Sequence, residues 1–514
     1  MNPTEEFSRY LIGKILDGSV TDRDKFQDVK VKACKKFGLD TVLPNSEILK
    51  YVREEEKKKV VPFLLKKPMR TLSGVAVVAV MTSPHPCPHG KCMYCPGGVE
   101  NNSPQSYTGK EPAARRAARN EFDPYMQVTD RITQLEAIGH ITDKIDLIIM
   151  GGTFTSREED YQTWFVKRCF DAMNGRDAPD IGTAQEWNET AEHRCVGLTV
   201  ETRPDVFDDV QIERSLSLGA TRVELGVQIL DDDILKAVER GHGVKETVEC
   251  TQRCKDHGLK ICYHMMPGLP GSDPENDMKC FRKVFDDSRF RPDMLKFYTT
   301  LVVGGTKLYD MWKNGEYEPY DVEKATELLA DMKSIVPEYV RIQRIQRDIP
   351  ADQIAAGILK SNIRQLVHDR LQATGRQCRC IRCREVGHND ISLTDRSEIK
   401  LNDLEYDASN GREHFINLTC EDSLIGYIRL RIDNTDCATV RELKVFGKMA
   451  EIGTDGEDWQ HRGFGRELVA EAERIALSNG KNKIRITAGV GVRGYYRMLG
   501  YSLEKPYMVK NLSL

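Results

Sequence analysis

The chain has 514 residues, 40% hydrophobic, 30% charged and 7% aromatic, and carries a net charge of −4. That length exceeds what one hydrophobic core fills, and the composition excludes a fibrous or disordered chain. A charge so near neutral also excludes a polyanion held by overall charge alone, so any such partner must rest on local basic patches.

The N-terminus reads "MNPTEEFSRYLIGKILDG", acidic where a signal peptide is basic, and no apolar run approaches the ~20 residues of a membrane span. With 15 cysteines clustered in two places and otherwise scattered, this points to a reducing, cytoplasmic setting without a membrane. Residues 1–70 are charge-rich and helix-prone, with apolar positions at Phe7, Tyr10, Leu11 and Ile15. They read as a basic helical segment that either contacts a polyanion or is disordered. Basic stretches at 30–36, 53–67, 341–347 and 376–384 together lean toward a polyanionic partner, although each alone is an ordinary solvated face.

From Val75 short apolar runs recur, at 75–81, 145–150, 196–201, 222–228, 259–266 and 293–303. Helix-like stretches at 112–140, 161–173, 209–218, 244–257 and 274–288 separate them, long enough for crossovers between parallel strands. Six β-α units over 71–340 follow, with ligand-binding residues expected where the strands end. Residues 341–390 read as a basic connector. From 391 to 514 the texture changes again, with strands at 423–432, 438–447 and 484–489 and a helix to about Asn479, a compact α+β domain.

Chemistry is densest in "HPCPHGKCMYCPGG", residues 85–98, where Cys87, Cys92 and Cys95 follow the first strand with spacing C-x4-C-x2-C. Three thiolates suit an iron–sulfur cluster or zinc, with His85 or His89 available as a fourth zinc ligand. The position at the head of a β-α array favours the cluster, because a zinc knuckle would make its own small unit. Gly151 and Gly152 end the second strand and let backbone approach a ligand; Glu201, Arg203 and Asp205 end the third and suit ribose hydroxyls or charged groups; Gln228 and His264 are further candidates.

A second group, Cys378, Cys380 and Cys383, is spaced C-x-C-x2-C among Arg376, Arg379, Arg382 and Arg384. It favours structural zinc with His388 as the leading fourth ligand, a second cluster being the alternative. Its arginines are also suited to a phosphate backbone. Near the C-terminus "QHRGFG", 460–465, opens a helix so that backbone N–H groups and the helix dipole would meet a pyrophosphate.

The cysteine loop resembles that of the radical S-adenosylmethionine enzymes, with one residue more than their commoner C-x3-C-x2-C. "CMYCPGG" (92–98), "QSYTGKEP" (105–112), "MGGTF" (150–154), "ETRPD" (201–205), "RVELGVQ" (222–228), "GHG" (241–243), "MPGLPGS" (266–272) and "QRDIP" (346–350) resemble the family formed by the catalytic subunit of Elongator and its stand-alone archaeal relatives. From Val75 the resemblance runs to the C-terminus, and "QHRGFG" with its surroundings is similar to GNAT acetyltransferases.

The resemblance implies a partial (β/α)6 radical SAM barrel followed by an α+β GNAT domain, with a helical N-terminal segment. It implies a [4Fe-4S] cluster on Cys87, Cys92 and Cys95 whose open iron takes S-adenosylmethionine, and contact between Gly151–Gly152 and the methionine moiety. On the acetyl-CoA side it implies that Glu442, Leu443, Lys444 and Val445 lie beside the pantetheine, and that Phe464, Gly465 and Arg466 surround the pyrophosphate. Tyr496 would protonate the leaving thiolate, with Tyr495 or Tyr496 serving only packing, and Lys144 would touch acetyl-CoA from the barrel side. The implied activity is tRNA uridine-34 carboxymethylation at the anticodon loop, with an electron donor and either a homodimer or Elongator-like partner subunits. Cluster and thioester are expected to face each other across one cleft. The competing reading is a protein lysine N-acetyltransferase whose barrel is a scaffold.

Overall fold

Parallel pairing begins at Ala76–Met81 (β1) and passes in order through Lys144–Met150 (β2), Arg194–Thr202 (β3), Arg222–Gln228 (β4), Lys260–Met265 (β5) and Met294–Phe297 (β6). The computed structural model describes residues 2–39, 41–66, 71, 73–388, 398–447 and 462–513. Period-two alternation sorts each strand into two faces. On β2, Ile145, Leu147 and Ile149 are fully buried in the core shared with the outer helices, whereas Lys144, Asp146, Ile148 and Met150 are half-buried on the inner face.

After β6 the chain departs from its expected course. Val302–Val303 (β7) leaves the sheet, Arg341–Ile345 (β8) returns to add a seventh parallel strand beside β6, and Ile354–Ala356 (β9) pairs with β7. The segment from 341 was expected to be connector. Its arginines hid a strand: Arg341 is buried and its Nη1 donates to Glu385 Oε2 at 2.7 Å, while Ile342 and Ile345 join the core. The single helix expected over 112–140 is two, Pro112–Arg119 and Pro124–Glu136, parted where Glu121 and Phe122 adopt φ of 51° and 59°.

Residues before the barrel form a folded helical unit rather than a disordered segment. Helices Pro3–Leu16, Arg23–Lys36, Asn45–Leu49 and Lys57–Leu64 gather Phe7, Leu11, Ile12, Phe26, Ile48, Val60 and Leu64 into a core of their own. Asn2 and Asp22 cap the two long helices, and Arg9 grips Glu56 with two hydrogen bonds of 2.6 and 2.7 Å. Lys30, one of the basic candidates, is buried and donates to Asn45.

The C-terminal sheet comprises Ile399–Ala408 (β10), Gly411–Cys420 (β11), Ser423–Ile432 (β12), Cys437–Val445 (β13), Lys483–Ile486 (β14), Ser502–Glu504 (β15) and Tyr507–Asn511 (β16). Their order is β10-β11-β12-β13-β14-β16-β15, antiparallel except for β13 beside β14. Helix Phe464–Ser478 packs across β11, β12 and β13 through Leu468, Val469 and Ala472. Buried charges fasten this domain to the barrel. Asp293 accepts from Arg441 at 2.6 and 2.7 Å, Glu413 accepts from Arg441 and Arg431, and Arg429 Nη2 donates to the Tyr339 carbonyl at 2.7 Å. Among the described residues no helix is long and apolar enough to cross a membrane.

Candidate active sites at the two ends of the barrel

At the carboxyl ends of the parallel strands lies a cavity lined by Cys87, Cys92 and Cys95 together with Gly152, Glu201, Arg203, Gln228 and His264. The loop that carries the cysteines is held from below: Met93 N–H donates to the Val238 carbonyl, and a Cβ on Gly97 would lie 1.8 Å from the Tyr107 carbonyl oxygen. Each sulfur meets its own polar neighbour. Cys87 Sγ lies 3.2 Å from Thr153 Oγ1, Cys95 Sγ accepts from Gln105 Nε2 at 2.9 Å, and Cys92 Sγ lies 3.1 Å from His89 Nε2 and 3.5 Å from Arg240 Nη1.

Arginine can only donate, so the 2.6 Å contact of Arg203 Nη1 with His89 Nδ1 makes that nitrogen the acceptor. The proton then sits on Nε2 and points at the Cys92 sulfur. Burial, with Arg203 and Arg240 nearby, lowers the His89 pKa to about 4, keeping the ring neutral. Both ring nitrogens are therefore engaged, and His89 is no free fourth ligand for zinc.

The donor set fits a cluster. Four tetrahedral zinc ligands with Zn–S near 2.3 Å bring sulfurs within ~3.8 Å of one another. Cys378, Cys380 and Cys383 are gathered within 4.8 Å; the three loop cysteines are not among the groups so gathered in the described residues. Wider spacing, with a hydrogen-bond donor for each sulfur and a buried arginine to offset charge, is what a cubane held by thiolates requires. Two buried polar atoms beside the sulfurs, Gln228 Oε1 and Arg240 Nε, have no partner of their own and suit the polar end of a second ligand. Gln228 holds φ of 70° at the end of β4 to aim there.

The nominated glycines separate. Gly152 lines the cavity at φ 93°, whereas a Cβ on Gly151 would lie 2.0 Å from Thr82 Oγ1, so packing against β1 explains Gly151. Glu201 accepts from Tyr107 Oη at 2.8 Å, and Arg203 forks onto Asp205 at 3.0 and 2.8 Å. Below them Glu224, fully buried, accepts from Lys296 and lies 2.8 Å from His264 Nε2. Burial opposes its charge, but Lys296 and His264 hold the carboxyl well below the usual range.

At the opposite, amino-terminal ends of the strands, a cleft of about 660 Å³ opens between barrel and C-terminal sheet. Glu442, Leu443, Lys444, Val445, Phe464, Gly465, Arg466, Tyr495 and Tyr496 line one side, and Lys144, Asp146, Arg222 and Lys260 the other. β14 pairs with β13 only through Val440, so 441–445 have no strand neighbour on that side. Gly463 precedes the helix at φ 88°, and a Cβ on Gly465 would come 2.8 Å from the Tyr495 hydroxyl. Tyr496 is buried, which pushes its pKa up and keeps the phenol protonated. Against the effect of burial, Lys260 and Arg429 hold Glu442 at about 2; burial and Arg341 lower Lys444 to about 8. This cleft suits a nucleotide thioester whose pyrophosphate meets the helix start and whose arm lies along β13.

The two sites therefore do not face each other across one cleft, as expected from the sequence; they occupy opposite ends of the same strands. Their separation follows from the domain docking through Asp293 and Arg441, which seats β13 under the barrel. The arginines considered for phosphate contact are largely committed within the chain. Arg376 pairs with Asp331 and Glu327, Arg379 with Glu338 and Asp422, Arg384 with Glu338, and Arg344 with Asp348. The His388 side chain and Gln460–His461 lie outside the described residues. Sequence reasoning missed Gln105, Tyr107, Thr153, Arg240 and Lys296, although Gln105 and Tyr107 fall inside QSYTGKEP and Thr153 inside MGGTF.

Comparisons with known proteins agree with this layout. The chain matches the ELP3 N-terminal domain over 4–72, the Radical SAM superfamily over 83–282, the Radical_SAM C-terminal domain over 292–373 and the acetyltransferase (GNAT) family over 383–501. It is 50% identical to the tRNA uridine(34) acetyltransferase of Methanocaldococcus jannaschii, covering 100% of this chain and 99% of that one. It is 40% identical to Elongator complex protein 3 of Drosophila melanogaster, covering 98% and 96%. A solved structure of archaeal Methanocaldococcus infernus Elp3 lacking residues 1–46 superposes with a TM-score of 0.77 at 48% identity, covering 86% of this chain and all of that one. The chain belongs to the Elongator complex protein 3 family, in which a radical SAM barrel is joined to a GNAT acetyltransferase domain.

Proposed function

We propose that this protein installs a 5-carboxymethyl group on the wobble uridine of tRNA, taking two carbons from acetyl-CoA by radical chemistry. Its full-length relatives are named for tRNA uridine-34 acetyl transfer. The observation that carries the finer reading is that a three-sulfur pocket and a GNAT cleft open onto the inner face of one barrel. Acetyl transfer alone needs no such pocket. When bound, the cluster and S-adenosylmethionine supply a carbon radical able to take a hydrogen atom from the acetyl methyl. In net terms uridine, acetyl-CoA, S-adenosylmethionine and water give 5-carboxymethyluridine, CoA, methionine and 5′-deoxyadenosine. The electron from a low-potential donor that opens the sequence returns when carbon 5 loses its hydrogen as a proton.

The chain's own residues bind and orient. Cys87, Cys92 and Cys95 hold the cluster, with Thr153, His89, Arg240 and Gln105 donating to their sulfurs. Gly152, Glu201 and Gln228 receive the cofactor. Lys144, Glu442–Val445, Phe464, Gly465 and Arg466 hold acetyl-CoA, and the buried Tyr496 phenol hydrogen-bonds the thioester sulfur and protonates the leaving thiolate. Cys378, Cys380 and Cys383 hold a structural zinc, which their close approach supports. The anticodon loop of tRNA is the macromolecular substrate, in a cytoplasmic setting.

The test is anaerobic incubation of reconstituted protein with tRNA, acetyl-CoA, S-adenosylmethionine and dithionite, followed by nucleoside mass spectrometry. Carboxymethyluridine that disappears with Cys92→Ala supports the proposal; product unchanged by that substitution, or acetylated peptide formed without reductant, overturns it.

A further inference from the structure

The two cavities are divided by a partition one side chain thick. On β2, Asp146 lines the acetyl-CoA cleft and Met150 the sulfur pocket, with Ile148 between them on the same face. On β3, Gly197 and Glu201 belong to opposite cavities and Thr199 lies between; on β5, Lys260 and His264 do, with Cys262 between. On β4 the walls touch directly, because Arg222 lines one cavity and Glu224 the other. At ~3.3 Å per residue the gap is ~13 Å on three strands and ~7 Å on β4.

The polar atoms of this layer are incomplete. Thr199 is fully buried and its Oγ1 has no hydrogen-bond partner; Arg222, 7% exposed, has none at Nε. Thr199 and Arg222 are paired across β3 and β4, so both side chains project from neighbouring points on one face. Arg222 Nε lies 3.8 Å from Glu224 Oε1, too far to hydrogen-bond, and that oxygen too is without a partner. Two buried donors left open side by side call for an acceptor with two lone pairs, such as a carbonyl oxygen. Room exists beside them: Ile148 is half-buried and Val77, on the neighbouring strand, is 39% exposed, while the outward residues of β2 are sealed.

Resting on the function proposed above, we infer that the acetyl end of acetyl-CoA threads past Asp146 into the barrel, where Thr199 and Arg222 hold its carbonyl oxygen. Ile148 borders the passage through which the methyl group meets the radical pocket. The thioester need not leave the enzyme or swing around it. The step it serves breaks one methyl C–H bond and forms one C–H bond on the deoxyadenosyl carbon, one per S-adenosylmethionine cleaved.

Three proteins test this: wild type, Thr199→Val, which exchanges the hydroxyl for a methyl group of similar size, and Ile148→Trp, which fills the passage at a position with space. Calorimetry on cluster-free protein gives affinities for acetyl-CoA and for CoA. Thr199→Val should lower the preference for acetyl-CoA over CoA about tenfold and leave CoA affinity unchanged. With reconstituted protein, tRNA, dithionite and trideuterated acetyl-CoA, mass spectrometry then counts deuterium in 5′-deoxyadenosine per S-adenosylmethionine cleaved. Wild type should transfer deuterium, Thr199→Val about tenfold less, and Ile148→Trp only background, at normal iron content and melting temperature. An unchanged acetyl-CoA preference in Thr199→Val, or a wild-type deuterium ratio in Ile148→Trp, overturns the inference. Should Ile148→Trp fail to fold, Thr199→Val decides. Wild type that transfers no deuterium at all would instead defeat the proposed function, a distinguishable result.

Discussion

Two cysteine triads, one spaced C-x4-C-x2-C and the other C-x-C-x2-C, are built in opposite ways in this fold. Cys87, Cys92 and Cys95 are spread, and each sulfur faces a different partner: Thr153, His89 with Arg240, and Gln105. Cys378, Cys380 and Cys383 instead converge, their sulfurs within 4.8 Å of one another. Each triad has the geometry its surroundings allow. The first tops a strand of a parallel sheet and lines a cavity there; the second is a short loop beside β8, its Ile381 N–H tied to the Val340 carbonyl. Cysteine content makes both triads candidate metal sites, and the surroundings of the sulfurs tell the two apart.

Breaking each triad separately is the largest test of that contrast. Cys92→Ser should abolish iron binding and tRNA modification together, with little change in melting temperature. Cys380→Ser should do the reverse: iron retained, zinc lost, and stability lowered by about 4 kcal/mol, as expected when a metal that closes a loop is removed. Inductively coupled plasma analysis, nucleoside mass spectrometry and a thermal scan on the two variants read these outcomes; zinc bound by the first triad, or iron by the second, would break the comparison.

A smaller effect separates the surroundings from the ligands. Arg240 donates to the Gly226 carbonyl at 2.6 Å, lies 3.5 Å from Cys92 Sγ, and is a buried cation beside the first triad. Burial opposes its charge, yet Tyr94, Cys92 and Cys87 keep the guanidinium firmly protonated. Arg240→Met keeps the volume and removes the charge, so cluster retention or activity should fall about 10–100-fold, the usual effect of losing a metal's outer partner. Iron release on dilution, followed by absorbance, measures it. Zinc content should not change, because Arg240 does not touch the second triad.

The sequence showed the fold class and the order of its strands because buried parallel strands read as short apolar runs, and these do not depend on distant residues. β8 escaped because its core residues, Ile342 and Ile345, are outnumbered by Arg341, Gln343 and Arg344. The cysteine loops and the glycine turn were legible as motifs. Their supporting donors were not, since Arg240 approaches Cys92 from 148 positions away and nothing in a linear pattern announces that contact. The ion pairs of the basic stretch at 376–384 were hidden for the same reason: the carboxylates that neutralise Arg376 and Arg379 come from Glu327, Asp331, Glu338 and Asp422, far along the chain. The partition at Ile148, Thr199 and Arg222 was invisible because it is a property of register between strands.

Gln105 offers the finest test, because it acts on one sulfur through one bond. Its Nε2 donates to Cys95 Sγ at 2.9 Å and to the Gly97 carbonyl at 3.2 Å, so it both orients the loop and places a dipole on the thiolate. A hydrogen bond to a cluster sulfur stabilises the more negative, reduced state, and its loss makes reduction harder. Gln105→Leu should therefore lower the cluster's reduction potential and slow reductive cleavage of S-adenosylmethionine about 2- to 10-fold, the range for one neutral hydrogen bond. Iron content should stay full, since the three cysteines remain. Redox titration distinguishes this from mere loosening of the loop: loosening would lose iron without moving the potential of what is left, whereas a dipole effect moves the potential of every cluster in the sample. A Gln105→Leu protein with full iron and an unshifted potential would mean that the sulfur donors of the first triad fix shape alone, and the contrast with the second triad would then rest on spacing and cavity rather than on hydrogen bonding.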